Sequence, residues 1–259
     1  MENKDVGREI DEIRSSMAQV IVGKTEVIDL LITVFLSEGH ALIEDVPGVG
    51  KTLLAKTFAK CLGLDFRRIQ FTPDLLPADI TGVSVFNQKT LEFDFMPGPV
   101  FTDILLADEI NRATPRTQSS LLECMEERQV TVDGVTYELS HDFTVLATQN
   151  PVELSGTFPL PEAQLDRFLM KISIGYPSKE EEEKIVSRFE KGTHTIFDIA
   201  PVGKDKIARL KESAKNVHVS SEIVSYISDI TRQTRDLKIA QLGVSPRGTL
   251  ALARACKSY

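Results

Sequence analysis

Two clusters in this chain of 259 residues have the residue types and spacing to handle a polyphosphate. The first is Asp45-Val46-Pro47-Gly48-Val49-Gly50-Lys51-Thr52, with Leu53 after it. Its glycines let backbone N–H groups curl around an anion without Cβ clashes, Lys51 adds a full positive charge, and Thr52 offers a hydroxyl to magnesium. It departs from G-x-x-x-x-G-K-[ST] in its first position, where Asp45 replaces glycine; the alternative is a Gly/Pro surface turn ending in Lys-Thr. The second is Asp108-Glu109. At the carboxyl edge of a parallel sheet, Asp108 can hold magnesium through water while Glu109 polarises a second water for attack on a γ-phosphate. Taken alone, the pair also suits a strand surfacing into an acidic loop. Asn150 can orient the water or read the γ-phosphate, although before Pro151 it also suits a turn.

These residues need a scaffold, and the flanking patterns supply one. Apolar Ala41-Leu42-Ile43 precedes the glycine-rich loop, and the helical pattern Leu53 to Ala59 follows it. A buried strand thus delivers the loop to the positive end of a helix. Further strands are expected at Phe66 to Phe71, Ile104 to Asp108, Phe143 to Asn150 and Ile172 to Ile174. Helical spacing marks residues 5–19, then Val27 to Phe35 ended by Gly39, then Gln118 to Gln129, in which Cys124 is core filler. Between the first two helices, Val20-Ile21-Val22-Gly23 can wall an adenine ring or simply pack helix on helix. Residues 72–99, with four prolines and two glycines, read as an insertion carrying a short hairpin, and Asp133-Gly134 centres a second hairpin over 129–140. Tyr176-Pro177 marks a boundary between an α/β domain, 1–176, and a helical one, 177–259. The latter opens with a Ser178/Glu181 capping box. Its last helix, Thr249 to Lys257, has no terminating cap, so the helical domain is expected to be incomplete.

Composition narrows the function. With 42% hydrophobic and 26% charged residues the chain reads as globular, and its net charge of -8 argues against nucleic acid as a partner. Cys61, Cys124 and Cys256 are far apart and odd in number, which points to reduced thiols and the cytoplasm. No signal peptide is expected from the polar N-terminus, and no membrane span from the interrupted apolar run Leu30 to Leu36. His40, His141, His194 and His218 share no metal-ligand spacing.

The sequence resembles the MoxR branch of AAA+ ATPases from Val20 to Lys257. Leu106-Ala107-Asp108-Glu109-Ile110-Asn111-Arg112-Ala113 carries the resemblance, supported by Ala147-Thr148-Gln149-Asn150-Pro151 and Leu160-Pro161-Glu162-Ala163-Gln164-Leu165-Asp166-Arg167-Phe168. It implies a P-loop parallel-sheet domain with helices on both faces, followed by a small all-helical lid, and ATP and Mg2+ as ligands. Lys51 and Thr52 look like the Walker A pair, Asp108 and Glu109 the Walker B pair, and Asn150 the first sensor. Arg167 looks like an arginine finger inserted by a neighbouring subunit, and Arg247 like the second sensor from the lid, while Val22 and Gly23 would face adenine. Residues 72–99 correspond to the helix-2 insertion. The family implies a homo-oligomer, a hexamer, that remodels or matures protein clients, often alongside proteins with a von Willebrand factor A domain. A nucleic-acid motor is the alternative from neighbouring branches, but residues 131–138 carry no Lys or Arg. An ATP-dependent assembly switch, or a chelatase-like motor subunit, is the third reading.

Overall fold

The computed structural model describes residues 3–151, 156–190, 199–238 and 242–259; His194 lies outside them. In chain order the strands are β1 (Ala41–Glu44), β2 (Phe66–Gln70), β3 (Gly82–Asn87), β4 (Glu92–Pro97), β5 (Ile104–Asp108), β6 (Gln129–Val132), β7 (Val135–Glu138), β8 (Thr144–Gln149) and β9 (Met170–Ile172). Five of them form a parallel sheet in the order β2-β5-β8-β1-β9. The period of two along each strand sorts its apolar side chains onto opposite faces. Ala41, Ile43, Ile104, Leu106, Leu146 and Ile172 enter one core, and Leu42, Leu105, Ala107, Val145 and Ala147 enter the other.

Helices cover both faces. The first core is closed by α1 (Asn3–Ala18), α2 (Thr25–Leu36) and α3 (Lys51–Leu62). The second is closed by α4 (Pro77–Thr81), a 3-10 turn at Ile110–Arg112 and α5 (Pro115–Glu127), whose Leu121, Leu122 and Met125 point inward. Proline in the first turn starts α5 earlier than the apolar spacing suggests, and left-handed Arg128 (φ 52°) ends it. Helix α2 closes in a Schellman arrangement: Gly39 N–H bonds Val34 O at 2.9 Å and Glu38 N–H bonds Phe35 O at 3.1 Å. The left-handed residue there is Glu38 (φ 53°), one position before the Gly39 expected to end the helix. Gly39 is needed for space, since a Cβ on it would sit 2.7 Å from Cβ of Leu169.

Both expected hairpins form. β3 and β4 pair antiparallel within the 72–99 insertion, and β6 and β7 pair around Asp133 (φ 51°) and Gly134 (φ 81°), the signs of a type I′ turn. The two hairpins touch through Phe95 and Tyr137, stacked with centroids 4.1 Å apart. After the short α6 (Glu162–Leu165) and β9 come α7 (Lys179–Glu190), α8 (Lys204–Lys215), α9 (Ser221–Asp236) and α10 (Pro246–Ser258). Ser178 and Glu181 make the reciprocal capping bonds in front of α7. Helix α8 lends Ile207, Leu210 and Ala214 to the first core of the sheet. Among the described residues no helix is long and apolar enough to cross a membrane.

Candidate functional site

The fold gathers the first set of candidates at one edge of the sheet. A cleft of about 420 Å³ is lined by Pro47, Gly48, Gly50, Lys51, Thr52, Leu53, Asp108, Glu109, Thr148 and Asn150. Gly48 (φ 87°) and Gly50 (φ 86°) are left-handed, and a Cβ on either would meet nothing within 4 Å. The glycines thus serve the curl of the loop rather than tight packing. That open cradle at the start of α3, beside Lys51 and facing Asp108 and Glu109, fits a phosphate chain and its divalent ion.

Lys51 is held in place by the loop itself, its Nζ donating to Asp45 O at 2.6 Å. Burial pushes its pKa below the ordinary lysine value, while Asp45, Asp108 and Glu109 pull the other way. Asp45, the departure from the general signature, is buried. Its Oδ1 accepts from Val46 N–H at 2.8 Å; its Oδ2 accepts from Ile174 N–H at 2.7 Å, Gly175 N–H at 2.6 Å and Ser173 Oγ at 3.3 Å. Burial alone would raise its pKa, but these donors together hold it below the usual aspartate value. The carboxylate therefore staples the phosphate loop to the segment leading into α7. The same bonds explain why the last strand ends at Ile172 rather than Ile174: beyond Ile172 the N–H groups turn to Asp45 instead of a neighbouring strand.

The acidic pair is braced from three elements. Thr148 Oγ donates to Asp108 Oδ1 at 2.5 Å and accepts from Glu109 N–H at 2.8 Å. Glu109 Oε2 accepts from Gln70 Nε2 at 2.9 Å and pairs with Arg112 Nε at 2.9 Å. Glu109 is itself left-handed (φ 56°), an uncommon conformation for a residue with a Cβ that turns the chain sharply at the strand end. Sequence reading assigned nothing to Gln70, Thr148 or Arg68, which contacts Asp108. Their signal was faint: polar side chains at the ends of β2 and β8, one of them a threonine inside an apolar run.

Val22 and Gly23 do not line this cleft. A Cβ on Gly23 would overlap the side chain of Glu181, so the first turn of α7 lies over it. Arg167 and Arg247 do not line it either. They share a second cleft with Glu126, Arg128, Asp166 and Arg254. Arg167 donates to Leu122 O at 2.8 Å, and Arg247 pairs with Glu126 at 2.7 Å. The cause is the capping of α10: Ser245 Oγ accepts from Gly248 N–H and lies 2.8 Å from both carboxylate oxygens of Asp166, which brings the next residue but one, Arg247, beside Arg167.

Comparison with known proteins gives this arrangement a family. Residues 40–170, which hold the loop, the acidic pair and Arg167, match the profile of the ATPase family associated with various cellular activities (AAA). Chaperone MoxR1 of Mycobacterium tuberculosis is 45% identical over 249 residues, which span 93% of this chain and 66% of that protein. The chain belongs to the MoxR family of AAA+ ATPases. Another relative of this MoxR-family chain, the uncharacterized protein YeaC of Bacillus subtilis, is 51% identical over 255 residues, 98% of the chain and 78% of that protein. A crystal structure from Cytophaga hutchinsonii superposes with a TM-score of 0.90 at 40% identity, covering 98% of this chain and 80% of that one. The shared fold thus extends over 98% of the MoxR-family chain, beyond the residues that the AAA profile matches.

Proposed function

We propose that this chain binds ATP with Mg2+ in the cleft beside residues 45–53 and hydrolyses it within a ring of identical subunits that remodels protein clients. The observation that carries the reading is the convergence of an open glycine cradle, Lys51, Thr52, Asp108, Glu109 and Asn150 on one cleft. Loop N–H groups and Lys51 hold the β- and γ-phosphates. Thr52 and Asp108 hold the magnesium ion, which would neutralise phosphate charge. Glu109 takes the proton of the attacking water, and Asn150 orients that water.

The arginines nearest the cleft, Arg68 and Arg112, are taken up by Asp108 and Glu109, and the two arginines expected at the nucleotide sit together elsewhere. Both are therefore proposed to reach the cleft of a neighbouring subunit, Arg247 as well as Arg167. Their shared position beside Glu126 makes one unit of them, in place of a lid arginine closing over its own site. A trans arginine is worth about 10³- to 10⁵-fold in related phosphoryl transfer. A hexamer, and clients that include proteins with a von Willebrand factor A domain, follow from the family likeness; the name of MoxR1 supports chaperone-like work. The β6–β7 hairpin, free of Lys and Arg, gives nucleic acid no handle.

ATP turnover per subunit is the test. It should rise with protein concentration, vanish in Glu109→Gln while fluorescent ATP still binds, and vanish together with binding in Lys51→Ala. Turnover that persists in Glu109→Gln removes Glu109 from its role. Turnover independent of dilution through the assembly range refutes the trans arrangement.

A further inference from the structure

Asp108, the carboxylate proposed to hold magnesium, already carries a cation. Arg68 on β2 donates to its Oδ2 from Nη2 at 2.8 Å and from Nε at 3.1 Å. Thr148 engages the other oxygen, so both are committed. The geometry follows from the sheet. Arg68 and Gln70 lie two residues apart on an edge strand and share a face, and Gln70 stands in register with Asp108. Gln70 Oε1 accepts from the same guanidinium at 2.6 Å, which holds the fork toward the carboxylate. Neither the phosphate loop nor the trans arginines give Arg68 a task.

A guanidinium and a divalent cation on one carboxylate repel each other, and the weaker ligand must yield. The arginine is the weaker one: its side chain is 45% exposed, where an ion pair gains little and the long side chain can swing into water. We propose that Arg68 is a displaceable counter-cation for Asp108, which a divalent ion must drive off in order to bind. Arg68 thereby sets the affinity for the metal, lowering it relative to a bare carboxylate and making occupancy depend on the phosphates that bring the ion in. The ion must make good the exposed Arg68–Asp108 pair that it breaks, which lowers its affinity by up to about fivefold. The inference rests on the magnesium-nucleotide reading of the cleft.

The experiment measures the dissociation constant of a fluorescent ADP in excess EDTA and in saturating Mg2+, for the full chain and for Arg68→Gln, Arg68→Lys and Asp108→Asn. The ratio of the two constants is the gain that the metal confers on the nucleotide. Arg68→Gln should raise this gain about two- to fivefold. Arg68→Lys keeps the charge and should stay near the parent, and Asp108→Asn in combination with Arg68→Gln should cancel the rise. Because the side chain lies on the surface of an edge strand, unchanged circular dichroism and melting are expected in both Arg68 variants. A gain that is unchanged or smaller in Arg68→Gln overturns the displacement and leaves the nucleotide site standing. A parent chain that binds ADP in neither condition overturns both.

Discussion

Replacing Asp45 with asparagine exchanges one oxygen for an amide nitrogen and tests the staple on the phosphate loop. In the parent chain Oδ2 takes two strong N–H bonds, from Ile174 and Gly175, and Oδ1 takes one, from Val46. The amide introduced by Asp45→Asn must put its oxygen on the side of Ile174 and Gly175, and its NH2 then faces the N–H of Val46. Two bonds fall from charged to neutral strength, about 1 kcal/mol each, and one half-buried N–H loses its acceptor, about 1 kcal/mol. The sum is roughly 3 kcal/mol, or roughly 6 °C in melting temperature for a chain of this size. Because the folded pKa of Asp45 is lowered below 3.8, its contribution is fully present above that value and is lost as pH falls through the folded pKa. Asp45→Asn has no such carboxylate, so the gap in melting temperature between the two proteins should narrow as pH falls below about 4. Differential scanning calorimetry from pH 7 to pH 3 reads both. Equal melting temperatures at pH 7, or a gap that stays constant with pH, would refute the staple.

His40 supplies a second pH dependence. It is buried, with Nδ1 accepting from Val145 N–H and Nε2 donating to Met125 O, and burial lowers its pKa to about 4. Between 6.5 and 4 the unfolded chain binds a proton that the folded chain refuses, so stability falls with pH in that window by roughly 3 kcal/mol. Urea titrations should show that slope, and His40→Asn should flatten it. Gly98→Ala places a Cβ 2.6 Å from the backbone N of Gly82 at the base of the insertion hairpin. It should cost about 1–3 kcal/mol by overpacking and speed amide exchange in residues 82–97. Finally, Lys51→Ala and Arg167→Ala, each inactive alone, should recover ATP turnover when mixed, because the hybrid ring joins an intact cleft to an intact arginine. A mixture as inactive as its parts would place Arg167 in its own subunit's site.

Much of this was legible along the chain. The strand-loop-helix pattern around residues 45–52, the acidic end of β5 and the polar end of β8 are each set by a few consecutive residues, whose period fixes burial and whose ends fix exposure. Parallel strands then present their carboxyl ends together, so those three signals could only meet at one edge. The Asp133-Gly134 turn and the Ser178/Glu181 cap were equally local, since their bonds join residues at most a few positions apart.

What the sequence could not carry were bonds between distant residues. The bonds of Asp45 reach across to Ser173, Ile174 and Gly175, and they set both the geometry of the loop and the end of β9. Arg68 meets Asp108 only because β2 is the edge strand beside β5. From their motifs Arg167 looks like a finger for a neighbouring subunit's cleft and Arg247 like a sensor carried by the lid. The docking of Ser245 on Asp166 puts them in a cleft of their own. In each case residue type announced a charge in search of a partner, and only the packing of strand on strand and helix on loop decided which partner lay within about 3 Å.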